Sequence, residues 1–127
     1  MSVMRELKFR AWDKQEKQMM KVSAISLENK EIGVKDFRTY HFFRIKNIEL
    51  MQYTGLKDKN GTEIYEGDVI KVERDGIIYR VEWIHGGFGL EPRYNSPFYP
   101  RLGNVELREK IEVIGNIHEN PEFLEEK

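Results

Sequence analysis

From Asp58 to Glu91 the chain alternates apolar and polar residues with a period of two, and glycine-bearing turns interrupt that alternation. Val69-Ile70-Lys71-Val72-Glu73 is one run. In the next, Ile77, Tyr79, Val81 and Trp83 alternate with Ile78, Arg80, Glu82 and Ile84. Period two puts successive side chains on opposite faces of a strand, whereas a helix would need apolar residues three and four apart. The turns fit antiparallel hairpins. Asp58-Lys59-Asn60-Gly61 ends in Asn-Gly, which tolerates positive φ, and Arg74-Asp75-Gly76 and His85-Gly86-Gly87 repeat the device. Lys110 to Ile117 reads as a last strand.

The N-terminal part reads as β too. In Glu6 to Trp12, Leu7, Phe9 and Ala11 share one face, predicted to be buried, and Lys8, Arg10 and Trp12 share the other. Asp13 to Gln18 is turn-like, and a weaker strand covers Met19 to Leu27. Glu28-Asn29-Lys30 breaks it before Ile32 to Val34. Tyr40 to Ile45 is rich in β-formers, although so short a run also admits a helical turn. Pro92 to Gly103 holds three of the four prolines and is expected to be a surface loop or an edge. Asn120-Pro121-Glu122 is a helix start with room for one or two turns. The expected fold is mainly β: an N-terminal β subdomain over 1–50, a turn-rich junction over 51–63, and an SH3-like barrel or curled antiparallel sheet over 64–127, closing in a short helix. These are parts of a single domain, 1–127.

A chain of 127 residues, 39% hydrophobic, is long enough for a real core. Its net charge of −1 hides an asymmetry. Residues 1–47 carry 11 Lys and Arg against 6 Asp and Glu, and residues 48–127 carry 10 against 16. Such a +5/−6 split suits nucleic-acid contact or self-association through opposite charges, and equally two solvated surfaces. With no cysteine, disulfides, zinc thiolates and cysteine nucleophiles are excluded. Charges interrupt Met1 to Val22 every few residues, against a signal peptide, and no apolar run approaches the ~20 residues of a membrane helix. A cytoplasmic location without membrane contact is expected.

Catalytic patterns fail one by one. Gly86-Gly87-Phe88-Gly89 lies between β-like runs and is followed by Leu90 and Glu91, not by the lysine of a phosphate loop. Counted from Asp58, a calcium loop would need Gly at position six and Glu at twelve, but Gly61 is fourth and Val69 twelfth. His41, His85 and His118 have no ligand spacing, and none of the serines sits in a nucleophile elbow. Glu66 and Asp68 are a pair that 22 carboxylates would produce by chance. No catalytic residue, cofactor or metal ligand is assigned, and an enzyme is not expected.

Two aromatic and basic clusters remain. Phe9, Arg10 and Trp12 with Tyr40, Phe42, Phe43 and Arg44 form the first, and Arg93, Tyr94, Phe98, Tyr99 and Arg101 the second. Rings stack on bases while cations neutralise phosphates. The plainer reading has alternate aromatics in the core with solvated arginines between them. The candidate nucleic-acid or partner surface is Arg10, Trp12, Arg38, Arg44, Lys46, Arg93, Tyr94, Phe98, Tyr99 and Arg101. A nucleic-acid surface requires Arg10, Arg38, Arg44 and Lys46 to share one side.

Three blocks carry a resemblance: Met4 to Asp13 (MRELKFRAWD), Leu50 to Asp68 (LMQYTGLKDKNGTEIYEGD) and Glu112 to Glu122 (EVIGNIHENPE). In that order they resemble the opening, central and closing motifs of YopX-like proteins, which are encoded by phages and prophages of Gram-positive bacteria. The resemblance implies phage or prophage origin, a bacterial host cytoplasm and a mostly β fold, and it brings no catalytic residues. Gln52, Tyr53, Gly55, Asp58, Asn60, Gly61, Tyr65, Gly67 and Asp68 of the central block are expected to be architectural, joining the two parts of the fold. If Gln52, Tyr53, Asp58 and Asp68 instead stood exposed around one cleft, that expectation would fail. The functional expectation is a non-enzymatic accessory protein, a binding or assembly module that self-associates, with a phage or host protein as a further partner. The alternative is a nucleic-acid-binding protein using the basic, aromatic N-terminal third.

Overall fold

The computed structural model describes residues 6–84, 86–92, 100–108 and 110–124. The chain divides into two compact units, Met1–Tyr53 and Thr54–Lys127. In the first, β1 (Phe9–Asp13), β2 (Gln18–Lys21), β3 (Ala24–Ser26), β4 (Glu31–Asp36) and β5 (Thr39–Arg44) precede a 3-10 turn, Ile45–Asn47. β6 (Ile48–Lys57) begins in this unit and ends in the second. β1 lies antiparallel between β2 and β6, with Ala11 opposite both Met20 and Leu50. β3, β4 and β5 form a separate antiparallel sheet in which Ala24 meets Gly33 and Ile32 meets Phe43.

Alternation decides which side chains these two sheets bury. Ala11, Ile32 and Ile48 are the buried centre, and Met20, Ile25, Val34, Phe43 and Leu50 pack against them. Ala11, Met20, Leu50 and Ile48 come from one sheet, and Ile25, Ile32, Val34 and Phe43 from the other. The unit is therefore a two-layer sandwich, each sheet contributing its inner face. Asp13 falls on the buried parity and is only 8% exposed, yet it has work there. Its Oδ1 accepts the N–H groups of Gln15 (2.9 Å) and Glu16 (3.2 Å), which closes the β1–β2 turn.

Leu7, expected in the core, is 68% exposed. The strand begins only at Phe9, so Leu7 precedes the paired stretch and its parity has no sheet to act on. The single run expected over Met19 to Leu27 is two strands, because its halves serve different sheets. Val22 N–H still donates to Phe9 O, while Ser23 N–H already donates to Gly33 O. Tyr40 to Arg44 is a strand, and the helical alternative is confined to the 3-10 turn that follows.

In the second unit the end of β6 is followed by β7 (Glu63–Tyr65), β8 (Asp68–Val72), β9 (Ile78–Ile84), β10 (Gly87–Pro92), α1 (Leu102–Arg108), β11 (Ile111–Asn116) and a 3-10 turn, Pro121–Leu124. β8 to β11 form a curled antiparallel sheet in the order β10-β9-β8-β11. Its core is Ile64, Ile70, Val72, Val81, Leu90, Leu102 and Ile111. The expected turns at 58–61 and 74–76 are present. His85, of the third expected turn, lies outside the described residues. The terminal helix is a 3-10 turn, with Phe123 N–H donating to Asn120 O. The loop expected over Pro92 to Gly103 is corrected at its end, where α1 begins. Its apolar anchors, Leu102 and Val105, are three residues apart and too few to make a periodic signal.

The turn between β4 and β5 carries local strain. Asp36 pairs with Thr39, leaving two residues, and tight hairpin turns of that length need positive φ. Phe37 supplies it at φ 51 with its ring 93% exposed. A bulky residue there pays about 1 kcal/mol for its Cβ. Phe37→Gly is therefore expected to raise the unfolding free energy by about 1 kcal/mol in urea titration. Unchanged or lower stability would contradict the strain.

Candidate binding surface

The inner face of the β3–β4–β5 sheet is spent on the sandwich core, which leaves the other parity outward. That outer face presents Ala24 and Ser26 of β3, Glu31, Gly33 and Lys35 of β4, and Tyr40, Phe42 and Arg44 of β5. Phe42 is 64% exposed and Tyr40 46%. Their rings lie nearly parallel, with centroids 6.2 Å apart and planes 19° from each other. They lie over Gly33: a Cβ there would be in ordinary van der Waals contact with Phe42 Cε1 (3.4 Å) and Tyr40 Cδ1 (3.5 Å). Beside them, a shallow recess of about 320 Å³ runs over Ala24, Ser26 and Gly33, walled by Asn29 and Phe42. Another, of about 350 Å³, is lined by Asn29, Lys30, Arg44, Ile45 and Lys46.

The residues singled out in the sequence are divided. Arg10 and Trp12 alternate with the buried Ala11 and Asp13, so they face outward from the β1 layer of the sandwich. Arg44 faces outward from the opposite layer, with Tyr40 and Phe42. Arg38 sits in the β4–β5 turn, and Lys46 lies beyond the other end of β5. The two layers thus part Arg10 from Arg44. In the second cluster Arg93, Tyr94, Phe98 and Tyr99 lie outside the described residues. Arg101 bridges Gly89 through its backbone, and a Cβ at Gly87 would collide with its guanidinium.

The central motif is spent on building. Tyr53 is buried, and Lys8 Nζ lies 5.7 Å from its ring centroid, a cation–π contact. Gly55 takes φ 88 inside β6, a bulge conformation that suits glycine. Beside it Thr54 Oγ1 donates to Ile64 O (2.7 Å) and accepts Leu56 N–H. Asp68, 2% exposed, accepts Tyr65 N–H (2.8 Å), closing the Tyr65 to Gly67 turn. Asp58 does most. Its Oδ1 accepts the N–H groups of Asn60 (2.8 Å) and Thr62 (2.9 Å), and its Oδ2 accepts Val113 N–H (2.9 Å) on β11. Lys59 N–H donates to Ile111 O in support (3.0 Å). Tyr53, Asp58 and Asp68 are buried, so they do not stand exposed around a cleft.

One polar cluster is absent from the sequence reading. Arg80 and Glu82, two apart on β9, share a face with Glu91, which is opposite Arg80 on β10. Arg80 Nε is 2.7 Å from Glu82, and its other end pairs with Glu91. Burial first, then the hydrogen bond to Glu91, pushes the Glu82 carboxyl up to about 7 against the pull of Arg80. Glu91 is held low, first by the Glu82 hydrogen bond and also by Arg80. Glu82 therefore holds its proton to higher pH than an ordinary carboxyl, and in that form it is the donor to Glu91. The small cavity beside them, about 90 Å³, is lined by Val69, Ile78, Pro92 and Phe123 as well as Arg80 and Glu91. Strand parity plus the hairpin register would have grouped these residues, but the register depends on a turn that the sequence does not fix.

Both carboxyl arrangements are testable by stability. Burial pushes the Asp58 carboxyl up, but the N–H groups of Val113, Thr62 and Asn60 outweigh it and hold the group below its usual value. Its contribution is present above the ordinary carboxylate range and disappears as pH falls through the depressed value. Asp58→Asn is expected to cost about 2 kcal/mol at neutral pH in urea unfolding, with a smaller difference from wild type in acid. A neutral-pH loss below half that size would contradict it. For Glu82 the sign reverses. A raised carboxyl favours the fold in its protonated form, and that gain is lost as pH rises from about 4.5 through 7. Urea midpoints should fall from pH 5.5 to 8.5 in wild type and fall less in Glu82→Gln. Equal slopes would contradict the shared proton.

The family model described as YopX protein matches residues 8–125. No curated protein matches the chain significantly. Among solved structures, protein EF1440 from Enterococcus faecalis is similar at 31% identity and a TM-score of 0.67, over 96% of this chain and 100% of that one. Protein yopX from Bacillus subtilis is similar at 26% identity and a TM-score of 0.61, over 94% of this chain and 97% of that one. The sequence resemblance is thereby confirmed across nearly the whole chain: the protein belongs to the YopX family.

Proposed function

We propose that this is a non-enzymatic phage or prophage accessory protein acting as a binding or assembly module in the host cytoplasm, with the outer face of β3, β4 and β5 as its binding face. The exposure of Tyr40 and Phe42, side by side on a strand that ends its sheet among the described residues, carries this reading. Apolar surface left in water forgoes about 25 cal/mol per Å², a gain that a partner recovers by covering it. The non-enzymatic part rests on what the carboxylates do. Asp58 and Asp68 are tied to backbone N–H groups, and Glu82 and Glu91 to Arg80 and each other. Among the described residues no helix is long and apolar enough to cross a membrane. The alternative, nucleic-acid binding through the basic N-terminal third, draws less support, because Arg10 and Trp12 face away from Arg44.

The test is capture from prophage-bearing cells, with bound protein and nucleic acid both measured. Tyr40→Ser with Phe42→Ser should lose what the wild type captures, and Arg10→Ala with Trp12→Ala should keep it. The opposite pattern would contradict the assignment of the face.

A further inference from the structure

We propose that the partner seated on β5 is a second copy of this chain, the two β5 strands pairing antiparallel about a twofold axis at Phe42. This rests on the reading of β5 as a binding element and names its occupant.

The backbone sets the first condition. Ile45 N–H donates to Lys30 O at 2.9 Å, and the register continues through Ile32 with Phe43, Val34 with His41 and Asp36 with Thr39. In an antiparallel ladder hydrogen-bonded pairs alternate with non-bonded ones. Phe43, His41 and Thr39 therefore spend their N–H and C=O groups on β4, while Tyr40, Phe42 and Arg44 direct theirs to the far edge. With the axis at Phe42, Tyr40 of each copy faces Arg44 of the other and Phe42 faces Phe42. Each of these pairs exchanges two hydrogen bonds.

Side chains select the same register. Across the axis the Phe42 rings meet, and on either side an Arg44 guanidinium lies against a Tyr40 ring, an arrangement favourable for a cation and an aromatic face. Moving the axis to His41 would set Tyr40 of each copy against Phe42 of the other and leave Arg44 without an aromatic partner in the paired stretch. Arg38 and Lys46 lie in turns outside the paired stretch. The same register brings the Phe37 turn of each copy level with Ile45–Asn47 of the other, near the recess lined by Ile45 and Lys46.

β5 also lacks the usual guards of an exposed edge. It has no proline and no lysine, and its pairing with β4 is without a bulge. A nucleic acid fits less well. The edge offers carbonyl oxygens as well as N–H groups, and on the outer face Glu31 accompanies Lys35 and Arg44. The opposite edge, β3, is only three residues long, so the twofold contact closes at a dimer.

The absence of cysteine provides a direct test. Hydrogen-bonded antiparallel partners have Cα atoms about 5.5 Å apart, within disulfide reach. Purified Phe42→Cys should oxidise to a disulfide dimer at least about tenfold faster than His41→Cys, which lies off the axis. Sedimentation of the cysteine-free wild type should show a concentration-dependent dimer. Phe42→Pro removes an edge N–H that β4 does not use, so it should be monomeric with a preserved fold by circular dichroism. Phe42→Lys, with like charges at the axis, should also be monomeric, and Phe42→Tyr should still dimerise. Equal oxidation rates, a wild type monomeric up to millimolar concentration, or dimers unaffected by Phe42→Lys would overturn the proposal. If the wild type stays monomeric yet binds a labelled oligothymidine in low salt, the occupant is nucleic acid and the proposal is overturned. Captured partners lost with Tyr40 and Phe42, from a protein that is always monomeric, would overturn self-pairing and leave the binding face standing.

Discussion

The Asp58 carboxylate holds together more of its unit than any other single side chain among the described residues. Its two oxygens take N–H groups from both sides of a chain separation of 55 residues: Asn60 and Thr62 in its own turn, Val113 in β11. β11 is the strand that completes the curled sheet beside β8, and its register shifts between Val113 and Gly115. Glu73 N–H donates to Lys110 O, so Ile111 and Val113 are the alternate positions of the ladder whose backbone groups point away from β8, and the carboxylate accepts the Val113 N–H there. Burying a charge is unfavourable unless it is fully hydrogen-bonded, and here the ligands are backbone groups that would otherwise need partners of their own. Asp58 is a structural anion.

A similar economy runs through the family motif. Among the described residues Asp13, Asp58, Asp68 and Asn116 are the buried polar ones, and each accepts N–H groups at a turn. Asn116 Oδ1 accepts the N–H groups of His118 and Glu119, and Asn120 Oδ1 accepts the N–H of Asn116, which sets the C-terminal turn. Polar side chains so engaged leave little freedom for chemistry.

Most of the strands were legible because they need only local information. Alternation located β1, β8 and β9, and Gly-containing turns located the hairpins around them. Faces were harder to read. In β5 both parities carry aromatic rings, with Tyr40 and Phe42 on one and His41 and Phe43 on the other, so the sequence does not decide which is buried. Only pairing with β4, where Ile32 lies opposite Phe43, settles it. For the same reason Arg10 and Arg44 looked like neighbours in a cluster: nothing local says that their strands belong to opposite layers. The Arg80, Glu82 and Glu91 cluster needed a hairpin register, and α1 needed tertiary contacts for Leu102 that so short an apolar pattern does not announce.

The functional account rests on one strand that packs Phe43 against a core and whose outer face and far edge are proposed to meet a second copy. Hydrogen–deuterium exchange followed residue by residue across protein concentration tests this most directly. The amides of Thr39, His41 and Phe43 bond to β4 and should be protected equally at every concentration. Those of Tyr40, Phe42 and Arg44 should exchange rapidly in dilute solution and become protected as concentration rises. Rapid exchange at these three positions throughout would contradict the pairing of β5 with a second copy.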